Sequence, residues 1–177
     1  MLLFFKVFDY RFLLIFTPKE IKPLSLHNSD MSSKKNLGNA GEFYVLAQLA
    51  QRGYIAGKTD DGQTLIDVIA TDEETLKTVN IQVKTTGANS KIPQWVMSKK
   101  NEQSHDSLWY VLVEAQSQET LPNFYIFHSS EVGPWIAKDH QAYLDRNDHR
   151  SDSSVRKFRP TSEELKEHKD NWERMFN

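Results

Sequence analysis

Between positions 65 and 86 the chain reads LIDVIATDEETLKTVNIQVKTT: two short runs rich in β-branched residues on either side of a polar turn, the pattern of a β-hairpin. With the turn centred between Glu74 and Thr75, Ile66 faces Val83, Val68 faces Ile81 and Ala70 faces Val79, one unbroken apolar face at strand period. The other face carries Asp67 across from Gln82, with Lys84 two residues along. Directly opposed residues have Cβ atoms roughly 5 Å apart, close enough for an Asp oxygen and a Gln carbonyl oxygen to share one cation. A slip of one residue would bury Gln82 and Lys84 and expose the aliphatics, so the apolar pattern itself sets which side chains share the polar face.

Upstream, Phe43, Leu46, Ala47 and Ala50 recur at the spacing of an amphipathic helix. Asn39 as N-cap, Glu42 three residues later and Gly53 as a stop predict its limits. Glu42 also lies on the stripe of Val45, Leu46 and Leu49, which points it inward; capping and reaching a cation are both open to it. Residues 54–58 predict a short strand and 59–63 a turn. Beyond the hairpin, 85–93 reads as a polar loop and 95–100 as a strand end or short helix. LWYVLVEA at 108–115 reads as a strand covered on both faces, and 124–128 as another strand. A helix is expected over 132–144, capped near Ser129 and Ser130 with Pro134 in its first turn. Residues 146–160 are polar, and 162–175 predict a last helix begun by Thr161 or Ser162 before Glu164. Helix, three strands, crossover and two further strands make an α/β fold with a central mixed sheet.

At 177 residues the chain is long enough for one domain with a continuous core. It has no cysteine, which excludes disulfides, thiolate catalysis and Cys-ligated zinc and is compatible with the expected cytoplasmic location. The net charge of −2 does not announce a nucleic-acid binder, yet Lys84, Lys91, Lys99 and Lys100 follow one another with no acid between them. Residues 1–16 are apolar but interrupted by Lys6, Asp9 and Arg11. They are too short and too charged for a spanning helix of about 20 residues, and they lack a signal-type cleavage site. Residues 1–30 are read as an extension, disordered or not native, and 31–177 as the functional domain. A peripheral membrane or partner anchor over residues 1–16 is the competing reading.

The order of residues in the hairpin and first helix resembles the PD-(D/E)xK nuclease superfamily. There an acid opens the second strand, an acid-x-Lys pair lies on the third, and a Glu often sits on the preceding helix. Asp67, Gln82-Val83-Lys84 and Glu42 match those places, with Gln82 where an acid is commoner, as in Gln-x-Lys branches. The resemblance implies a restriction-endonuclease-like αβββαβ core with a central mixed β-sheet flanked by helices. It implies a Mg²⁺ ion, or Mn²⁺, bound by Asp67, Gln82, the Val83 carbonyl and Glu42, and Lys84 stabilising charge on the phosphate. The activity implied is endonucleolytic hydrolysis of phosphodiester bonds, with DNA as the expected partner, a homodimer compatible with cutting both strands, and no membrane. Replacing an acid by Gln82 removes a charge near the metal, where two unit charges about 4 Å apart interact by roughly 4 kcal/mol. Weaker metal retention follows, and with it a second reading: an inactive nuclease-fold protein that binds nucleic acid or a protein.

Lys91, Lys99, Lys100, Arg156, Lys157 and Arg159 are the candidate grips on a nucleic-acid backbone, although charge runs are more often solvated faces. For Asp67 and Lys84 the bland alternative is a surface ion pair worth about 0 to 1 kcal/mol. Trp95, flanked by Ile92, Val96 and Met97, reads as core more than as a base-stacking platform. His105, His128 and the other histidines have no second ligand at metal spacing and read as structural or solvated. N-terminal sequencing of the native protein is expected to start at Met31; residues found before it would overturn that start.

Overall fold

The computed structural model describes residues 30–60, 65–87, 92–117 and 119–177, with side chains from residue 34 onward. Helix α1 (Asp30–Gln51) leads into strands β1 (Ile55–Lys58), β2 (Val68–Thr71) and β3 (Thr78–Gly87). Strand β4 (Trp95–Ser98) and a 3-10 turn (Lys99–Glu102) cross over to β5 (Leu108–Ala115) and β6 (Asn123–His128). Then come α2 (Ser129–Asp145), β7 (Val155–Phe158), α3 (Ser162–His168) and a second 3-10 turn (Trp172–Met175). Five strands form one mixed sheet in the order β1-β2-β3-β5-β6, in which β3 and β5 run parallel, while β4 and β7 pair as a separate antiparallel ribbon. The α/β class and the central mixed sheet flanked by helices are those expected.

The hairpin has the register its apolar pattern demands: Val68 pairs with Ile81 and Ala70 with Val79. These four side chains join Val45 and Leu49 of α1 and Val111, Val113, Phe124 and Ile126 in one core. Each Val, Leu, Ile or Phe among them gains about 1.5–3 kcal/mol on leaving water, and a slipped register would forfeit several at once. The Asp72 carboxylate closes the turn by accepting the N–H groups of Glu74 and Thr75 at 2.8 and 2.9 Å. On the sheet's other face Trp95, Met97, Tyr110, Leu112, Phe127 and Phe158 form a second core. Strand β5 is thus covered on both sides, as its unbroken apolar run requires. Trp95 is fully buried there, its Nε1–H donating to the Val113 carbonyl at 3.1 Å.

Five expectations change. Helix α1 is already formed at Asp30, so Asn39 lies inside it and Glu42 is not a capping residue. Gly53, at φ +86°, closes the helix as expected. The sheet-facing side of α1 is the Val45 and Leu49 stripe, and Phe43 is 61% exposed. The described crossover carries β4 and a 3-10 turn where the core pattern has a helix. The polar stretch 146–160 contains a strand, β7, disguised because an inward position holds Arg156. That side chain is 3% exposed and tied by Nε to Glu102, by Nη2 to Asp152 at 3.1 Å and by Nη1 to the Ser153 carbonyl at 2.6 Å. The last helix stops at His168, because Lys169 bridges to Tyr125 and Asp170 turns to φ +52°. Residues 1–29, including the candidate anchor, lie outside the described residues; among those described, no helix is long and apolar enough to cross a membrane.

Helix α2 and the crossover meet at Gly133, where a Cβ would sit 2.6 Å from the carbonyl oxygen of Glu102. Backbone cannot yield as a side-chain tip can. Gly133→Ala is therefore expected to lower stability by about 1–3 kcal/mol, although alanine is the better helix former by about 1 kcal/mol. Urea unfolding measures it, and an unchanged or raised midpoint would show that the two backbones are free to part.

Candidate active site

Strand β3 outruns β2. Its ladder to β2 ends at the Val68–Ile81 pair, whereas its ladder to β5 continues to Gly87. Asp67 makes the break. Its backbone N–H donates to the Ile81 carbonyl at 2.9 Å, and its Oδ2 accepts the Val83 N–H at 2.7 Å, in place of a main-chain carbonyl. In a strand the N–H and C=O of one residue point to the same edge, so the Val83 carbonyl faces this side too.

Three further side chains arrive at the same edge. Glu42 comes from the sheet-facing side of α1. Its Oε2 is buried and held 2.9 Å from the Lys58 ammonium in an ion pair. Lys58 ends β1 opposite Val68, beside Asp67. Burial pushes the Asp67 carboxyl above the ordinary aspartate value; the Val83 N–H and the charges of Lys84 and Lys58 oppose this, and Glu42 adds to it. Burial likewise pushes the Lys84 ammonium below the ordinary lysine value, against the pull of Asp67 and Glu42. The mutual influence of these groups defines one cluster of two acids and two lysines.

Gln82 is not delivered to that cluster as expected. It is 5% exposed, and its Oε1 accepts the Asn101 Nδ2–H at 2.6 Å. The same Asn101 amide donates to the Tyr110 hydroxyl at 3.0 Å, and its Oδ1 accepts the backbone N–H and hydroxyl of Ser98 at 2.7 and 2.9 Å. Position 82 thus anchors β3 to the crossover through a satisfied buried network.

Of the basic candidates, Lys91 lies outside the described residues. Arg156 is the buried ion-pair centre already described, a placement that takes its guanidinium away from any phosphate. Lys99 pairs with Asp152 at 2.6 Å and Arg159 with Asp139 at 2.7 Å. Lys100 and Lys157 are exposed. His128 caps α2 through Nδ1, and His168 stacks on Phe127 with ring centres 3.9 Å apart, both structural roles. Lys58 is the residue that sequence reasoning missed. The available signal was its place at the end of the strand that pairs with the start of β2.

Two carboxylates and a main-chain oxygen suit a hard divalent cation, since Mg²⁺ is usually held by one or two carboxylates with water and substrate oxygens completing its shell. The Glu42 carboxylate, which already faces one cation in Lys58, has the charge such a site needs. Gln82, its oxygen engaged by Asn101, does not add to the set. Among the described residues there is no group of three His, Asp or Glu side chains placed to hold a metal.

The sequence matches no family model and no characterised protein. In structure it is similar to a bacterial homing endonuclease at a TM-score of 0.47 and 13% identity, over 81% of this chain and 92% of that one. It is also similar to a Holliday junction resolvase from the archaeal hyperthermophile Archaeoglobus fulgidus at a TM-score of 0.37 and 10% identity, over 69% of this chain and 88% of that one.

Proposed function

We propose that this chain is a metal-dependent nuclease hydrolysing phosphodiester bonds, with DNA as its substrate. The observation that carries the reading is the meeting of Glu42, Asp67 and Lys84 at the edge where β3 runs past β2. Glu42, Asp67 and the Val83 carbonyl would hold Mg²⁺ or Mn²⁺. The chemistry supplied by such a cation would be neutralisation of charge on the phosphate and a lowered pKa of bound water. Lys84, as an ammonium in a water-poor setting, stabilises the negative charge that grows on the phosphate oxygens. Lys58 orients Glu42 through their ion pair. The Asp67 hydrogen bond to Val83 holds one carboxylate oxygen in place and leaves the other directed to the reaction. Gln82 contributes by fixing β3 against Asn101, so that Lys84 two residues on keeps its position.

The engaged oxygen of Gln82 and a set of only two acids favour a second reading, a nuclease-fold protein that binds nucleic acid or a partner without cutting. Incubation of the purified protein with plasmid DNA and Mg²⁺ or Mn²⁺ separates the two. The nuclease reading expects metal-dependent cleavage that falls about 10²–10³-fold in Lys84→Ala, the scale of losing one group that stabilises transition-state charge. No cleavage, with binding that weakens as salt rises, would favour the second reading.

Metal binding has a readout independent of cleavage. A cation at about a hundred times its dissociation constant stabilises a folded chain by about 2.7 kcal/mol. The thermal midpoint is expected to rise with Mg²⁺ or Mn²⁺ in the wild type and to stay fixed in Asp67→Asn; an equal rise in both would remove Asp67 from the metal site.

Without metal the direction of the Asp67 shift gives a pH dependence. Its carboxyl is raised on folding, so below the ordinary value near about 3.9 both states hold the proton and Asp67 imposes no penalty. As pH climbs through the raised value the folded chain must ionise a buried acid, and stability is lost. The stabilising effect of Asp67→Asn is therefore expected to be absent in strong acid and to grow with pH to a plateau. A pH series of denaturant midpoints tests this, and a difference that shrinks with pH would contradict the burial of this carboxyl.

A further inference from the structure

Lys58 sets its ammonium 2.9 Å from Glu42 Oε2, inside the cluster read above as a divalent-cation site, and its charge also acts on Asp67. Two of the carboxylates offered to a metal therefore already face a cation that belongs to the chain. A like charge a few ångströms away opposes the entry of a second cation, and the more so where water is scarce.

The contact is built to open at the side chain alone. Beneath it the backbone is fixed: Lys58 pairs with Val68 at the end of β1, and the next residue, Thr59, donates its N–H to the Asp67 carbonyl at 3.0 Å. Above it the Lys58 side chain keeps 25% of its surface in solvent, on a flexible four-carbon stem. The exposed ring of Phe43, next to Glu42 on α1, lies 5.7 Å from the same ammonium. A ring face within about 6 Å attracts a cation, so an ammonium turned off the carboxylate keeps a partner at the solvent edge. Removing the counter-charge from a buried carboxylate is costly, but exchanging one cation for another avoids that cost.

Resting on the metal site of the nuclease reading above, we propose that Lys58 and the divalent cation compete for Glu42: the ammonium neutralises the carboxylate, and a cation that takes the carboxylate displaces the ammonium toward Phe43 and solvent. Metal affinity is then set by a residue outside the ligand set, which holds it below what Glu42, Asp67 and the Val83 carbonyl would give alone.

Calorimetric titration of the full chain with MnCl₂, without nucleic acid, reads this directly. Lys58→Met keeps the length of the stem and removes the charge. It is expected to bind Mn²⁺ about tenfold more tightly than the wild type, the scale of one like charge partly screened by solvent. Lys58→Arg keeps the charge and is expected to stay within about twofold of the wild type. In EDTA the Met variant is expected to melt lower, its buried carboxylate having lost a counter-charge, and to recover in MnCl₂; a lysine that served folding alone would not raise metal affinity on its removal. The wild type supplies a measurement that needs no variant. Acylation of Lys58 by an amine-reactive ester, followed by mass spectrometry, is expected to run about threefold faster in saturating Mg²⁺ than in EDTA at equal ionic strength, the scale of one ion pair released.

Mn²⁺ affinity unchanged or weakened in Lys58→Met, an equal gain in Lys58→Arg, or labelling indifferent to Mg²⁺ in a chain that binds it, overturns the proposal. If the wild type binds Mn²⁺ in that case and Asp67→Asn does not, the metal site and the nuclease reading stand without the competition. If neither the wild type nor Lys58→Met binds Mn²⁺, both fall. Binding by Lys58→Met alone upholds the competition and removes the nuclease reading, since the native lysine would then hold the site against the metal.

Discussion

One hydrogen bond, from the Val83 N–H to the Asp67 carboxylate, separates this sheet from an ordinary hairpin. Had the ladder continued, that N–H would have met a main-chain carbonyl and this edge of β3 would have been closed by the neighbouring strand. With a side chain in the carbonyl's place, β2 and β3 part at the first residue of β2. Strand β3 runs on along β5 with its other edge turned toward α1 and the end of β1. Glu42, Lys58 and Lys84 all meet Asp67 at that parting.

The arrangement costs stability. Asp67 and Lys84 are each pushed toward their neutral forms by the burial that brings them together. Thr85 Oγ1 is buried without a hydrogen-bond partner among the described residues, and Glu42 Oε2 is buried with the Lys58 ammonium as its counter-charge. Large apolar cores on both faces of the sheet offset this. Elsewhere Asn101 completes Gln82, and Glu102 and Asp152 complete Arg156, while the buried Trp172 indole N–H has no hydrogen-bond partner among the described residues. Buried charges gathered in one place, in a chain otherwise locally consistent, are where function is expected.

Much of the fold could be read directly. Val68, Ala70, Val79 and Ile81 define a strand-period face that has one sensible register, and LWYVLVEA announces a strand covered on both sides. Strand β7 was hidden because Arg156 occupies an inward position whose cost vanishes once Glu102, 54 residues away, supplies the counter-charge. The apparent cap at Asn39 misled for a related reason: a capping pattern is local, and it does not forbid a helix that began earlier. Among the candidate site residues, parity put Asp67 and Lys84 on one face and the helical stripe turned Glu42 inward, while Lys58 needed the pairing of β1 with β2.

The sequence by itself determined parity: which hairpin residues share a face, that Glu42 turns toward the sheet, and that Asp67 and Lys84 lie on the polar side. These follow from periods of 2 and 3.6 and from the cost of exposing aliphatic side chains, both short-range. Only the tertiary structure decided where each polar group on that side finds its partner. It gave the Gln82 oxygen to Asn101, 19 residues on, and the Val83 N–H to Asp67, and it brought Lys58 to Glu42. A polar side chain is satisfied by whichever donor or acceptor the packing carries to it, and no local pattern encodes that choice.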